Sequence, residues 1–101
     1  MAIKVMLLGR TNIVLDTVQD QLSVDVELFS GTNVKDVRAR MASDAIDVII
    51  MGAGLPLEDR LKIVEAVFEL SKSTTVHMKD WDSGPKGMLP FVNGILTGIA
   101  S

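Results

Sequence analysis

Two short turns carry the residues best placed to do chemistry. Gly9-Arg10-Thr11-Asn12 follows an apolar run from Ile3 to Leu8, and Gly52-Ala53-Gly54 follows a second from Ile46 to Met51. If an anion binds, Arg10 is its charged contact, because a guanidinium at a helix start adds to the attraction of unpaired backbone N–H groups. Lys79, Asp80 and Asp82 follow a further strand-like stretch and join Arg10 as polar residues able to line a pocket at strand ends. Asp80-Trp81-Asp82-Ser83-Gly84 begins like a calcium loop, yet Pro85 stands where glycine is needed and no glutamate closes the loop. A solvated turn is the simpler reading of Lys79, Asp80 and Asp82. His77, the single histidine, is too isolated for a metal cluster and reads as a strand residue with one hydrogen-bond partner. No Ser/His/Asp arrangement and no pair of catalytic carboxylates stands out.

The elements that position these residues follow from hydrophobic rhythm. Ile3 to Leu8 and Ile46 to Met51 are nearly continuous apolar runs, the mark of parallel strands covered on both faces. Val24, Val26 and Leu28 alternate with Asp25 and Glu27, the period of a half-exposed strand that belongs at an edge. Thr74 to Met78 reads as a fourth strand, and Lys79 to Lys86 as a polar loop. Helical spacing appears between the strands, first at Val14, Val18 and Leu22. Asn33, with Asp36 three residues on, starts a helix that buries Val34, Val37 and Met41 and exposes Lys35, Arg38 and Arg40. Pro56 opens the next helix, whose inner stripe is expected to be Leu61, Val64 and Phe68. Glu58 and Lys62 make a four-spaced surface pair on it. Met88 to Ala100 is expected to be a last helix.

Right-handed crossovers and neighbouring sequential strands leave 2-1-3-4 as the simplest sheet order. The expected fold is a three-layer α/β/α domain with a four-stranded parallel sheet, a truncated flavodoxin-like or Rossmann-like arrangement. Its topological switch point falls between the first and third strands, so ligands belong beyond the strand ends that begin at Gly9 and Gly52. With 101 residues and 48% hydrophobic content, residues 1–101 read as a single domain with one core. A net charge of -3 and scattered Lys and Arg residues argue against nucleic acid as a partner. Cysteine is absent, which removes disulfides, thiolate metal sites and cysteine nucleophiles and suits a cytoplasmic protein. Val5 to Leu8 is too short to span a membrane, and no signal pattern surrounds it. The six Met residues fall mostly at apolar positions and read as core filler.

Asp47 to Pro56 resembles the third strand and following loop of a bacterial response-regulator receiver domain, with Pro56 in the expected place. The resemblance covers residues 3 to 80 as a pattern and is specific only from Asp47 to Pro56. It implies a phosphoacceptor aspartate at the position held by Gly52, and a magnesium-binding acidic pair at the positions held by Gly9 and Arg10. Where receivers end the fourth strand in a hydroxyl residue, this chain reads Met78-Lys79-Asp80, and no fifth strand follows to supply the receiver lysine. Phosphoryl transfer needs carboxylates for the metal and an acceptor oxygen, so no phosphorylation is expected.

The two glycine turns also resemble those of small nucleotide-binding Rossmann-type domains. That resemblance implies a backbone close to a pyrophosphate, Arg10 on a phosphate, and Thr11 or Asn12 capping the helix and donating to the ligand. Gly52-Ala53-Gly54 is similar to the Asn-Ala-Gly turn of short-chain dehydrogenases, which lies beside the cofactor. Neither loop supplies the three spaced glycines of a dinucleotide fingerprint, and the chain has no tyrosine for dehydrogenase chemistry. The competing reading is that each glycine merely permits a tight strand-to-helix turn.

The leading expectation is a non-catalytic domain that binds a partner protein or a small ligand at the strand ends. The alternative is a nucleotide- or NAD(P)-binding accessory domain of an oxidoreductase-like system, with a standalone enzyme third. Self-association is expected as well. After Lys86 the chain carries no charge, while Phe91, Val92, Ile95, Leu96 and Ile99 supply an apolar helix side. A homodimer or stable hetero-complex through residues 88–100, extending to the Thr74 to Met78 edge, competes with a helix sunk into its own monomer.

Overall fold

The computed structural model describes residues 3–10, 15–22, 25–52, 54–79 and 88–100. Its strands are β1 (Ile3–Leu8), β2 (Val26–Gly31), β3 (Val48–Met51) and β4 (Thr75–Met78). The helices between and after them are α1 (Leu15–Gln21), α2 (Val34–Ser43), α3 (Leu57–Leu70) and α4 (Met88–Ala100). All pairings are parallel and the order is β2-β1-β3-β4, as the apolar patterning predicts.

Alternation along the strands sorts the core into two halves. Met6, Leu8, Ile49 and Met51 pack with Val37 of α2 and Ile63 and Val67 of α3. Val5, Leu7, Val48 and Ile50 pack on the other face with Val92 and Leu96 of α4, and Val18 and Leu22 join them at and beside α1. The molecule is therefore a three-layer α/β/α structure. β1 and β3 are central and bury both faces, so both had to be apolar throughout. β2 lies at one edge and exposes Glu27, which accounts for its alternation.

Local chemistry sets the helix boundaries. Asn33 Oδ1 accepts the Asp36 N–H at 2.9 Å, while Asp36 Oδ2 accepts the Thr32 N–H at 2.8 Å and its hydroxyl at 3.2 Å. The start of α2 is thus closed by its own side chains, in the manner of a capping box. At the far end Asp44 accepts from Ser43 Oγ at 3.0 Å, Lys4 Nζ at 3.2 Å and Arg40 at 3.3 Å. The Ser43 hydrogen bond, followed by that from Lys4, holds the Asp44 carboxyl below its usual range. Thr74 Oγ1 donates to the Ile46 carbonyl at 2.6 Å and ties the turn after α3 to the approach to β3.

Three expectations about helix faces change. In α3 the buried residues are Ile63, Ala66 and Val67, and Val64 is half-buried. Leu61 and Phe68, expected inside, are 56% and 64% exposed. The helix carries two apolar stripes at helical spacing, and periodicity alone does not say which one meets the sheet. In α2 only Val37 is fully buried. Arg40, expected outside, is half-buried and stacks over the Phe29 ring at 4.5 Å. In α4, Val92 and Leu96 enter the core, and Phe91 and Ile95 are half-buried against it. Of the apolar side expected to form an interface, Ile99 remains exposed. Among the described residues no helix is long and apolar enough to cross a membrane.

Candidate functional site

The sheet register brings all strands to an end at one level. Leu8 pairs with Gly31 and Met51, and Met51 pairs with Met78. The next residue of each strand forms a rim: Thr32, Gly9, Gly52 and Lys79. Backbone hydrogen bonds fasten it, from Gly9 N–H to Gly31 at 3.3 Å, Gly52 N–H to Leu8 at 2.8 Å and Lys79 N–H to Met51 at 2.9 Å. β1 leads to α1 on one face and β3 leads to α3 on the other, so the crevice between them opens at this rim.

Arg10 crosses this crevice. A Cβ on Gly54 would stand 2.8 Å from Arg10 Cδ and 2.9 Å from its Cγ, so the aliphatic stem lies against the glycine and any side chain there would have to displace it. The residue as a whole remains exposed. Resting the stem on a fixed backbone narrows the positions open to the guanidinium. Gly52 is less constrained, because a Cβ there would come no nearer than 3.4 Å to the Leu8 carbonyl oxygen and 4.0 Å to the Met88 side chain. Its place in the rim comes from the backbone bond to Leu8.

Lys79 departs from the solvated turn expected of it. It is 4% exposed, and its backbone continues the β4 ladder by one residue through its bond to the Met51 carbonyl. Thr11, Asn12, Ala53, Asp80 and Asp82 lie outside the described residues. Sequence reasoning passed over Arg60. It sits in the first turn of α3, at the strand ends, and its Nε is buried without a hydrogen-bond acceptor. A cation in a first turn opposes the helix macrodipole, and that is the signal which marks it out.

The helix starts at this end differ in what they offer. That of α2 is satisfied by Asn33 and Asp36. That of α3 follows Pro56 with no side-chain cap and already carries Glu58 and Asp59. Glu58 forms the expected pair with Lys62 at 3.2 Å, a contact of two exposed side chains that adds little stability. His77 has a hydrogen-bond contact with Thr75 Oγ1 at 3.1 Å, and burial lowers its pKa below the usual 6.5. Among the described residues no three His, Cys, Asp or Glu side chains gather as a metal site would require.

Two shallow grooves lie elsewhere. One of about 350 Å³ runs beside β2 and α2, lined by Met6, Ser30, Asp36 and Arg40. The other, of about 410 Å³, lies at the amino ends of β3 and β4, between Met41 and Thr74. Polar groups in both already bond to one another, as Asp36 does to Thr32 and Thr74 does to Ser71. The strand ends carry the positive charges of exposed Arg10 and of Arg60. No protein-family model matches this chain, and neither a curated protein nor a solved structure matches it.

Proposed function

We propose that this chain is a non-catalytic binding domain that takes a small phosphate-bearing ligand at the carboxyl ends of its strands. The observation that carries this reading is Arg10, whose stem rests on Gly54 at the switch point between β1 and β3. Arg60, in the first turn of α3 at the same end of the sheet, adds a second positive charge there. Arg10 is favoured over the α3 start as the principal contact, because Glu58 and Asp59 already compensate the positive end of that helix and would repel an anion. A nucleotide, or NAD(P), is one form such a ligand takes. Without a three-glycine fingerprint, the reading stops at the phosphate and assigns no adenosine pocket.

Thermal shift against inorganic phosphate, pyrophosphate and nucleotides tests the proposal. A ligand at ~100 times its dissociation constant adds ~2.7 kcal/mol to stability. Arg10→Ala should weaken that response while barely moving the Tm of the free protein, since the residue is exposed. A large stability loss with an unchanged ligand response would make Arg10 a structural residue and end the proposal.

A further inference from the structure

The flank of α3 that faces away from α2 is apolar and open. Leu57, Leu61, Val64 and Phe68 recur at spacings of four, three and four, which places them within one narrow arc of a helix that turns about 100° per residue. Leu57, Leu61 and Phe68 are 60%, 56% and 64% exposed. The ion pair between Arg38 of α2 and Glu69 of α3, at 3.2 Å, identifies the opposite, charged flank as the one turned toward α2. α3 connects β3 to β4, so its apolar flank overlooks the β4 edge of the sheet. Val76 packs into the core half that α3 covers, and alternation puts Met78 on the same face, where it is 47% exposed.

Among the described residues the edge itself is unguarded. The N–H groups of Thr75 and Lys79 bond toward β3, so alternation turns the N–H and C=O groups of Val76 and Met78 outward. Edge strands are normally blunted by charge or proline, and β4 reads Thr-Val-His-Met with neither. β2, the other edge, carries exposed Glu27 and is preceded by exposed Asp25.

We infer that a second copy of this chain covers this surface, pairing β4 with β4 antiparallel about a two-fold axis through His77. The spacing of the open groups is self-complementary. Around a dyad at His77, Val76 exchanges both its hydrogen bonds with Met78 of the second copy, and Met78 does the same with Val76, as an antiparallel ladder requires. The same dyad sets each α3 stripe beside its counterpart, with no charge from β4 placed against a like charge. At about 200 Å² for a large side chain, Leu57, Leu61, Phe68 and Met78 present roughly 450 Å² per copy. Both copies together approach the ~1,200 Å² at the low end of specific interfaces once Val64, Val76 and the edge backbone are included. This surface is separate from the outer side of α4.

Sedimentation or light scattering at micromolar concentration reads the outcome. The wild-type chain should show the mass of two chains. Phe68→Glu, Leu61→Glu and Met78→Pro should each give the mass of one chain with unchanged far-UV circular dichroism, the last because it removes an outward N–H and leaves the bonds to β3 in place. Ile99→Glu on α4 should leave the dimer intact. A one-chain mass for the wild type overturns the inference, whatever other protein binds the surface. So does a dimer that survives all three variants, or one that Ile99→Glu alone dissociates.

Discussion

Replacing Gly94 with alanine tests whether the outer side of α4 is bare. Gly94 lies at the middle of α4 (Met88–Ala100), and a Cβ built there meets no atom within 4 Å. The added methyl therefore introduces no clash, and its effect is that of helix preference alone. Glycine inside a helix is ~0.8–1.0 kcal/mol less favourable than alanine, chiefly because its unfolded backbone has more freedom to lose. A small domain gains ~4–8 °C per kcal/mol, and at 101 residues this chain belongs at the lower end, so Gly94→Ala should raise Tm by about 4 °C. Urea unfolding should show a higher midpoint with an unchanged slope, because the surface exposed on unfolding stays the same. A lower Tm refutes the reasoning. It would mean that a second body lies against Gly94 and already fills the space the methyl needs, as an interface through residues 88–100 requires. Gly98 is a poorer probe, since it lies in the last turn, where helices fray.

Gly31→Ala should act in the opposite sense. A Cβ there would stand 2.7 Å from Met6 Cε, 2.9 Å from Leu8 Cδ2 and 3.0 Å from Asp36 Cβ. Met6 and Leu8 end in flexible groups, but Asp36 is held by its capping bonds, so a loss of about 1–2 kcal/mol is expected in urea unfolding. A neutral result would show that the α2 start moves freely. Acidification probes His77. Its folded pKa is lowered by burial, so the unfolded chain takes up a proton at higher pH than the folded one. That stability is complete above the usual 6.5 and falls as pH drops through the lowered folded value. Urea midpoints measured on either side of that window should differ, and His77→Gln should remove the difference. Loss of Asp44 stability belongs to a separate and more acidic range, below its usual 3.8, with the same sign.

Much of the architecture is written locally. Whether a strand is covered on one face or two determines its residues position by position. The continuous runs around Val5–Leu8 and Val48–Met51 and the alternation through Val26 and Leu28 therefore announced central and edge strands without any tertiary information. The cap formed by Asn33 and Asp36 was legible for the same reason, since donor and acceptor lie three residues apart. The glycine turns at Gly9 and Gly52 were correctly placed at the strand ends, although the chemistry they support was not evident from them. What lay beyond the sequence was every choice made by a neighbour distant along the chain. Leu61 and Phe68 form as regular a stripe as Ile63 and Val67, and only the position of the sheet and of α2 turned one stripe inward and left the other exposed. Lys79 is polar and follows a strand, so local reasoning assigns it to solvent; the packing of the surrounding layers buries it. The contact of Arg10 with Gly54 joins loops from two different strands, and it exists because β1 and β3 are neighbours in register. Short-range periodicity encodes how much surface an element must bury, whereas the direction in which it buries that surface is a property of the assembled layers.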